Sequence, residues 1–236
     1  MSKLRVLMYH KVHESERDYL TVNTQQLKQQ LDFISAHYNV IRLSRLSEHI
    51  INGSPLPERP LLISFDDGYE NNYRLAYPLL KAKNLPFAIF PVSGFIGKTL
   101  PYDGVDQSFL NTEQLKEMAH LADYGCHGSR HLNLTGLSKR EQESEIAGSV
   151  SEMKALGIKT EAAWAYTYGS YPKKDPLAFA DLKKTLNSHG IRLAFRIGNR
   201  VNTMPLKDPY KIERLDIRGN ESFLKFRLKL AFGKLF

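Results

Sequence analysis

Hydrophobic and polar positions along the chain alternate between two periods. Short apolar or β-branched runs at Arg5–Tyr9, Asn39–Leu43, Leu61–Phe65, Phe87–Val92, Ala162–Tyr166, Arg192–Ile197 and Ile212–Ile217 read as strands. Between them the apolar positions recur at helical spacing. Leu27, Leu31 and Ile34 follow a start at Asn23, and Leu46–Ile51 makes a short helix. Asn72–Lys83 is helical in pattern, with Pro78 kinking it or opening a new helix. Asn111–Leu121 carries an Asn-x-x-Gln cap and repeats Leu115 and Met118, predicting a helix that delivers the chain to His127. Ser138 and Glu141 form a capping box ahead of Ile146, Val150 and Met153, with Gly157 as the stop, and Pro176–His189 is the last long helix. Strand and helix alternate, which predicts an α/β fold with a parallel sheet or barrel and functional residues at the C-terminal ends of its strands. The segments Gly94–Phe109 and Asn199–Pro209 are long enough to form a rim that selects a ligand.

Candidate chemistry collects where strands end. The stretch LLISFDDGYENNY from Leu61 to Tyr73 runs an apolar strand into Asp66 and Asp67, and Gly68 then frees the backbone to turn. Successive residues leaving a strand point to opposite sides, so the two carboxylates can do different work, one facing a metal and the other a reacting water. A strand that merely ends in a turn would carry the same residues. A second cluster changes the balance. His127 and His131 are four residues apart, a spacing that lets two imidazoles converge on one ion at about 2.0–2.1 Å. Two histidines and one aspartate leave a coordination position open, as a catalytic site requires. A third cluster, Tyr166 to Tyr171, reads YTYGSY. The residues alone do not say which aspartate takes which part.

In these motifs the sequence resembles the polysaccharide deacetylases of the NodB-homology type (carbohydrate esterase family 4), and within them the poly-N-acetylglucosamine deacetylase-like branch. Their T-F-D-D-G motif stands here as Ser64 to Gly68, their H-(S/T)-x-x-H as His127 to His131, and their Y-P-Y-G as Tyr166 to Gly169, with Thr167 in place of proline. The resemblance runs from Met8 to about Leu215. It implies a deformed (β/α)7 barrel, formed as a single domain over 1–236. It also implies a metal-dependent hydrolase removing N-acetyl groups from an amino-sugar polysaccharide or saccharide intermediate. By the same resemblance Asp66 is the general base, Asp67, His127 and His131 hold a divalent ion such as zinc, and the backbone N–H of Tyr168 serves the oxyanion. An arginine carried by many relatives falls at Ala165 here, which leaves its role to another residue such as Arg214. The general acid matches His10, on the first strand, as in the poly-N-acetylglucosamine branch. Two alternatives stay open: a deformylase or amidohydrolase acting on a lipid-linked sugar or a non-sugar amide, and a catalytically silent carbohydrate-binding protein.

Composition narrows the rest. The 236 residues, 42% hydrophobic and 25% charged, suit one globular domain. The single cysteine, Cys126, excludes an internal disulfide and reads as a small buried residue. The N-terminus offers only a four-residue apolar run, short of a signal peptide, and no run reaches a membrane span, so the expectation is a cytoplasmic protein. A formal net charge of +8 permits attraction to phosphates, but no nucleic-acid motif accompanies it, and a carbohydrate is the expected partner. The tail, 220–236, reads as a basic amphipathic helix that either packs under the barrel or, through 223–236, touches an anionic membrane surface while the protein stays peripheral. Oligomeric state is open.

Overall fold

The computed structural model describes residues 2–102 and 104–233. Seven parallel strands close on themselves in chain order: β1 (Lys3–Tyr9), β2 (Pro60–Asp67), β3 (Phe87–Pro91), β4 (Ala122–Cys126), β5 (Thr160–Ala165), β6 (Leu193–Ile197) and β7 (Ile212–Asp216). Closure comes from β1, which pairs with β2 along Arg5 to Tyr9 and with β7 at Leu7 and Met8. This is the expected (β/α)7 barrel. Helices pack around it: α1 (Thr24–His37), α2 (Leu43–Asn52), α3 (Tyr77–Ala82), α4 (Thr112–Met118), α5 (Lys139–Ala155), α6 (Pro176–Ser188) and α7 (Phe223–Phe232). None of them is long and apolar enough to cross a membrane.

The period-2 alternation of each strand divides its residues between two apolar layers. Leu61, Ile63 and Phe65 face outward into a core shared with α1, α3, α4 and α7, whereas Leu62 joins Val6, Ala88, Phe90, Ala163, Ala165 and Phe195 in the barrel interior. All eight residues of β2 are buried, so its last two, Asp66 and Asp67, arrive at the barrel mouth already desolvated. The foot of the interior is packed by Ile41, Leu43 and Leu46 from the segment entering α2 and from α2 itself.

Several sequence expectations need correction. The stretch from Asn111 does not lead directly to His127: α4 ends at Met118 and the strand β4 intervenes. Its pattern is disguised by Asp123, which Arg42 Nε and Nη2 and the Ser44 N–H satisfy, and by Gly125, whose missing side chain leaves space for the Phe90 ring. The expected strand Asn39–Leu43 shrinks to Asn39–Val40 beside β2, because Ile41 and Leu43 are drawn into the barrel foot. Asn72–Lys83, by contrast, follows the expectation that Pro78 opens a new helix: a π-helical turn, Asn72–Ala76, gives way to α3, with Pro78 in its first turn where the missing N–H costs nothing. The Gly94–Phe109 loop contains an antiparallel pair, Thr99–Tyr102 with Val105–Ser108.

The tail is helical over Phe223–Phe232, and residues 234–236 of the expected segment lie outside the described residues. It packs beside the barrel and not under it: Phe223 and Phe226 meet Phe33 of α1 edge-on, and Phe226 and Leu230 join the outer core. One of its basic residues, Lys229, points inward, donating to the carboxylate of Glu221 and to the carbonyl of Asp216.

Candidate active site

The barrel mouth holds a cavity of about 260 Å³ whose lining includes Asp66, Asp67, His127, His131, His10 and Tyr168. All six residues singled out in the sequence therefore meet in one place. Asp66 faces the interior by strand parity, as Leu62 and Ser64 do. Asp67 would face the helices by the same parity, but its backbone is left-handed (φ +66°) and returns the carboxylate over the mouth. Gly68 (φ +80°) completes the turn, and a Cβ there would lie 2.9 Å from that of Pro91.

Beyond their burial and a shared neighbour in His127, the two aspartates differ. Asp66 Oδ1 accepts a hydrogen bond from Arg214 Nη1 at 2.6 Å, with the guanidinium fully buried and over the Phe90 ring. Burial alone would raise the Asp66 pKa, but the charges of Arg214, His127 and His10 outweigh it, and the carboxyl is held below its ordinary range. Arg214, on β7, thus stands against the aspartate that Ala165 could not reach. Asp67 Oδ1 lies 3.3 Å from both His127 Nε2 and His131 Nε2, and has no hydrogen-bond partner among the described residues. Its burial also favours the neutral acid, but the two imidazoles prevail and hold it well below the usual carboxylate range. For His127, desolvation favours the neutral ring while Asp66 and Asp67 favour the cation, with a net upward shift.

The donor set fits a divalent ion. Ligand atoms of Asp67, His127 and His131 lie within 4.8 Å of one another, all buried. A tetrahedral ion with ligands at about 2.0–2.1 Å separates them by roughly 3.3–3.4 Å, which matches the two Asp67 to histidine distances. The tautomers agree as well. His127 Nδ1 contacts the Ala165 carbonyl at 2.8 Å, and a carbonyl only accepts, so Nδ1 carries the proton and the neutral ring offers the Nε2 lone pair inward. His131 Nδ1 contacts the Tyr102 hydroxyl at 2.7 Å, which leaves its Nε2 for the same point.

Among the described residues, three of the six non-glycine positions with positive φ are here: Asp67, His131 (φ +60°) and Tyr168 (φ +56°). Such backbone costs on the order of 1–3 kcal/mol per residue and persists only where neighbours over-determine it. Tyr168 is exposed, and its ring lies 4.8 Å from that of His131. Thr167 beside it is buried, and its hydroxyl donates to the Leu132 carbonyl at 2.6 Å, tying this loop to the one bearing His131. His10 sits at the end of β1 with its Nδ1 buried and unpartnered among the described residues. Cys126 is buried beneath the site and is no part of it, its thiol pushed up to about 11 by desolvation.

Sequence reasoning passed over Tyr102 and Glu145. Tyr102 comes from the rim hairpin, where nothing in the local pattern distinguishes an aromatic that reaches a histidine from one that packs. Glu145 lies in an ordinary amphipathic helix. A fully buried glutamate there shows only when the helix is docked.

A family model for polysaccharide deacetylases matches residues 53–194. YxkH of Bacillus subtilis, named as a polysaccharide deacetylase, is 31% identical over 172 residues, covering 72% of this chain and 58% of that protein. A poly-β-1,6-N-acetyl-D-glucosamine N-deacetylase of Staphylococcus epidermidis is 26% identical over 239 residues, covering 92% of this chain and 79% of its own. The Escherichia coli protein of that name matches over 123 residues, and the chain spans only 18% of its length. Among solved structures, IcaB from Ammonifex degensii superposes with a TM-score of 0.79 over 98% of this chain and 97% of its own at 24% identity, a likeness of fold. The chain belongs to the polysaccharide deacetylase family.

Proposed function

We propose that this protein is a metal-dependent carbohydrate N-deacetylase, a hydrolase of carbon–nitrogen bonds that removes acetyl groups from an amino-sugar polysaccharide or saccharide intermediate. The observation that carries this reading is the orphaned Asp67 Oδ1, 3.3 Å from each of two inward-facing imidazole nitrogens and next to a second aspartate engaged by Arg214. Names of relatives that act on poly-β-1,6-N-acetyl-D-glucosamine support the substrate class.

Asp67, His127 and His131 hold the ion, zinc being suited to this donor set. When bound, it polarises the acyl carbonyl and lowers the pKa of water to about 7. Asp66 is the general base. Arg214 keeps it ionised despite burial and fixes one of its oxygens, leaving the other to take a proton from the attacking water. The backbone N–H of Tyr168 donates to the developing oxyanion, a role typically worth about 2.7–4 kcal/mol in the transition state. His10, just past the end of β1 and lining the same cavity, gives a proton to the departing amine, so the amine leaves without the instability of its anion.

The decisive experiment is acetate release from N-acetylglucosamine oligomers by zinc-reconstituted protein, with bound metal quantified. The reading predicts stoichiometric metal, acetate release, and loss of release on chelation that zinc restores. Protein that binds metal and releases acetate from no sugar would reject these substrates in favour of a formylated or lipid-linked one. Protein without stoichiometric metal would sink the catalytic reading.

A further inference from the structure

The loop Gly128–Leu132, which connects the two histidines, is held by an acid outside the metal set. Glu145, on α5, is fully buried. Its Oε1 accepts the Arg130 N–H at 2.7 Å and the Leu132 N–H at 3.4 Å, and its Oε2 meets Arg130 Nε at 3.1 Å. Those two backbone donors flank His131, whose left-handed backbone turns both toward the same side. N–H groups converging in this way form a nest for an anion, and the carboxylate of Glu145 fills it.

The rest of the loop is shaped around that carboxylate. Gly128 has φ +90°, and a Cβ there would lie 2.6 Å from Glu145 Oε1. Any side chain at 128 would displace the acid. Other polar groups of the loop have partners of their own: the Gly128 and Ser129 carbonyls accept from the Ser93 and Gly94 N–H groups, and the Ser129 hydroxyl donates to Glu152, two turns along α5 from Glu145. Glu145 is thus the acceptor for the donors on either side of His131. Removing it leaves two desolvated N–H groups without their partner, and the loop must reopen to hydrate them.

We infer that Glu145 is a positioning residue, an internal anion that locks His131 in its left-handed conformation and so aims Nε2 at the point shared with Asp67 and His127. The inference about metal rests on the site reading above, while the clamp itself can be read without any ion.

The test uses the full chain with three substitutions: Glu145→Leu, Glu145→Gln and Arg130→Ala. Backbone amide exchange at Arg130 and Leu132 is followed in chelator-treated protein, and zinc affinity by competition with a chromophoric chelator. Glu145→Leu is expected to accelerate exchange at both amides and to lower zinc affinity by roughly 10–100-fold, the usual loss for a group that orients a ligand. Glu145→Gln keeps an oxygen for the two N–H groups but removes the charge, and is expected to fall between the Leu variant and the parent in both exchange and affinity, whereas Arg130→Ala, which removes only the ion pair, stays within about threefold of the parent. Should the Leu variant fail to fold, the other two still decide: exchange at both amides faster in Glu145→Gln than in Arg130→Ala supports the clamp, and exchange in Glu145→Gln unchanged from the parent overturns it. Unchanged exchange in a folded Glu145→Leu protein overturns it too, as does an affinity loss in Arg130→Ala equal to that in Glu145→Leu. A parent that binds no zinc but whose amides respond to Glu145→Leu would reject the proposed function while supporting the clamp.

Discussion

Asp66 and Asp67 are the same residue type, consecutive in sequence, on the same strand, similarly buried and both close to His127, yet their principal partners differ. Asp66 is engaged by a buried guanidinium and lies 4.0 Å from the nearest imidazole nitrogen. Asp67 Oδ1 has no hydrogen-bond donor among the described residues and lies between two imidazoles that are themselves oriented from behind, one by the Ala165 carbonyl and one by the Tyr102 hydroxyl. A carboxylate paired with a fixed cation is poised to handle a proton. One facing only lone-pair donors makes sense with a cation between them. The division of labour is thus set by β5, β7 and the rim hairpin, far from the aspartates in sequence.

The sharpest way to break the contrast is to remove the carboxylate assigned to the ion. Asp67→Ala is expected to abolish stoichiometric zinc binding and with it acetate release, to background. Metal analysis and end-point acetate measurement on the same preparation check this. Retention of tight zinc in this variant would mean that Asp67 is not a ligand and would erase the distinction. Asp66→Asn should behave in the opposite way: zinc retained at parent stoichiometry, with kcat/KM falling by about 10²–10⁴-fold, the range for loss of a general base. A variant that lost the metal as well would show the pair to be one functional unit and not two.

How much of this was legible beforehand follows from where each determinant sits. The FDDG, HGSRH and YTYG motifs are local and declared themselves, while the alternation of strand and helix reached only a parallel sheet or barrel, and the seven-stranded barrel was implied by the family resemblance those motifs carry. What stayed hidden acts across the fold. β4 escaped because Asp123 and Gly125 break its apolar pattern, and each is explained only by a partner distant in sequence, Arg42 for one and Phe90 for the other. Arg214 could be suggested by the vacancy at Ala165, but its contact with Asp66 spans 148 positions. The left-handed backbone has no signature in residue type at Tyr168 and only a weak one at Asp67 and His131, types enriched at positive φ but far more often found elsewhere. Asn199, which also has φ +54°, is the kind of residue a pattern would have picked instead.

Arg214→Met sharpens the comparison from the other side by giving Asp66 the isolation that Asp67 has. In the parent, burial pushes the Asp66 pKa up and Arg214 is the largest opposing influence, leaving a net depression. Without the guanidinium the desolvation is opposed only by the imidazoles. The base therefore needs a higher pH to ionise, and the acid limb of the kcat/KM profile moves upward. Zinc content should not change. Breaking a buried pair also destabilises by about 3–5 kcal/mol, whereas the double substitution Asp66→Asn with Arg214→Met leaves no unpaired charge and should recover part of that loss in thermal unfolding. An acid limb that stays in place in Arg214→Met would assign the ionisation of Asp66 to the imidazoles alone.

The smallest effect is expected at Thr167, and it asks whether the loop bearing Tyr168 affects both roles or only one. Its hydroxyl is buried and donates to the Leu132 carbonyl, so it couples the Tyr168 loop to the residue after His131 without contacting a proposed ligand atom. Thr167→Val keeps the shape and removes the donor, leaving that carbonyl without its side-chain partner. A neutral hydrogen bond contributes about 0.5–1.5 kcal/mol net, which bounds the loss at roughly tenfold in rate if all of it is expressed in the transition state. Because His131 is held independently through Glu145, zinc affinity should stay at the parent value while kcat falls. Thr167→Ser, which keeps the hydroxyl, should stand near the parent. A fall in zinc affinity parallel to kcat would mean that the oxyanion loop and the histidine loop move as one body, so that the precision of the site is shared between them and not assigned loop by loop.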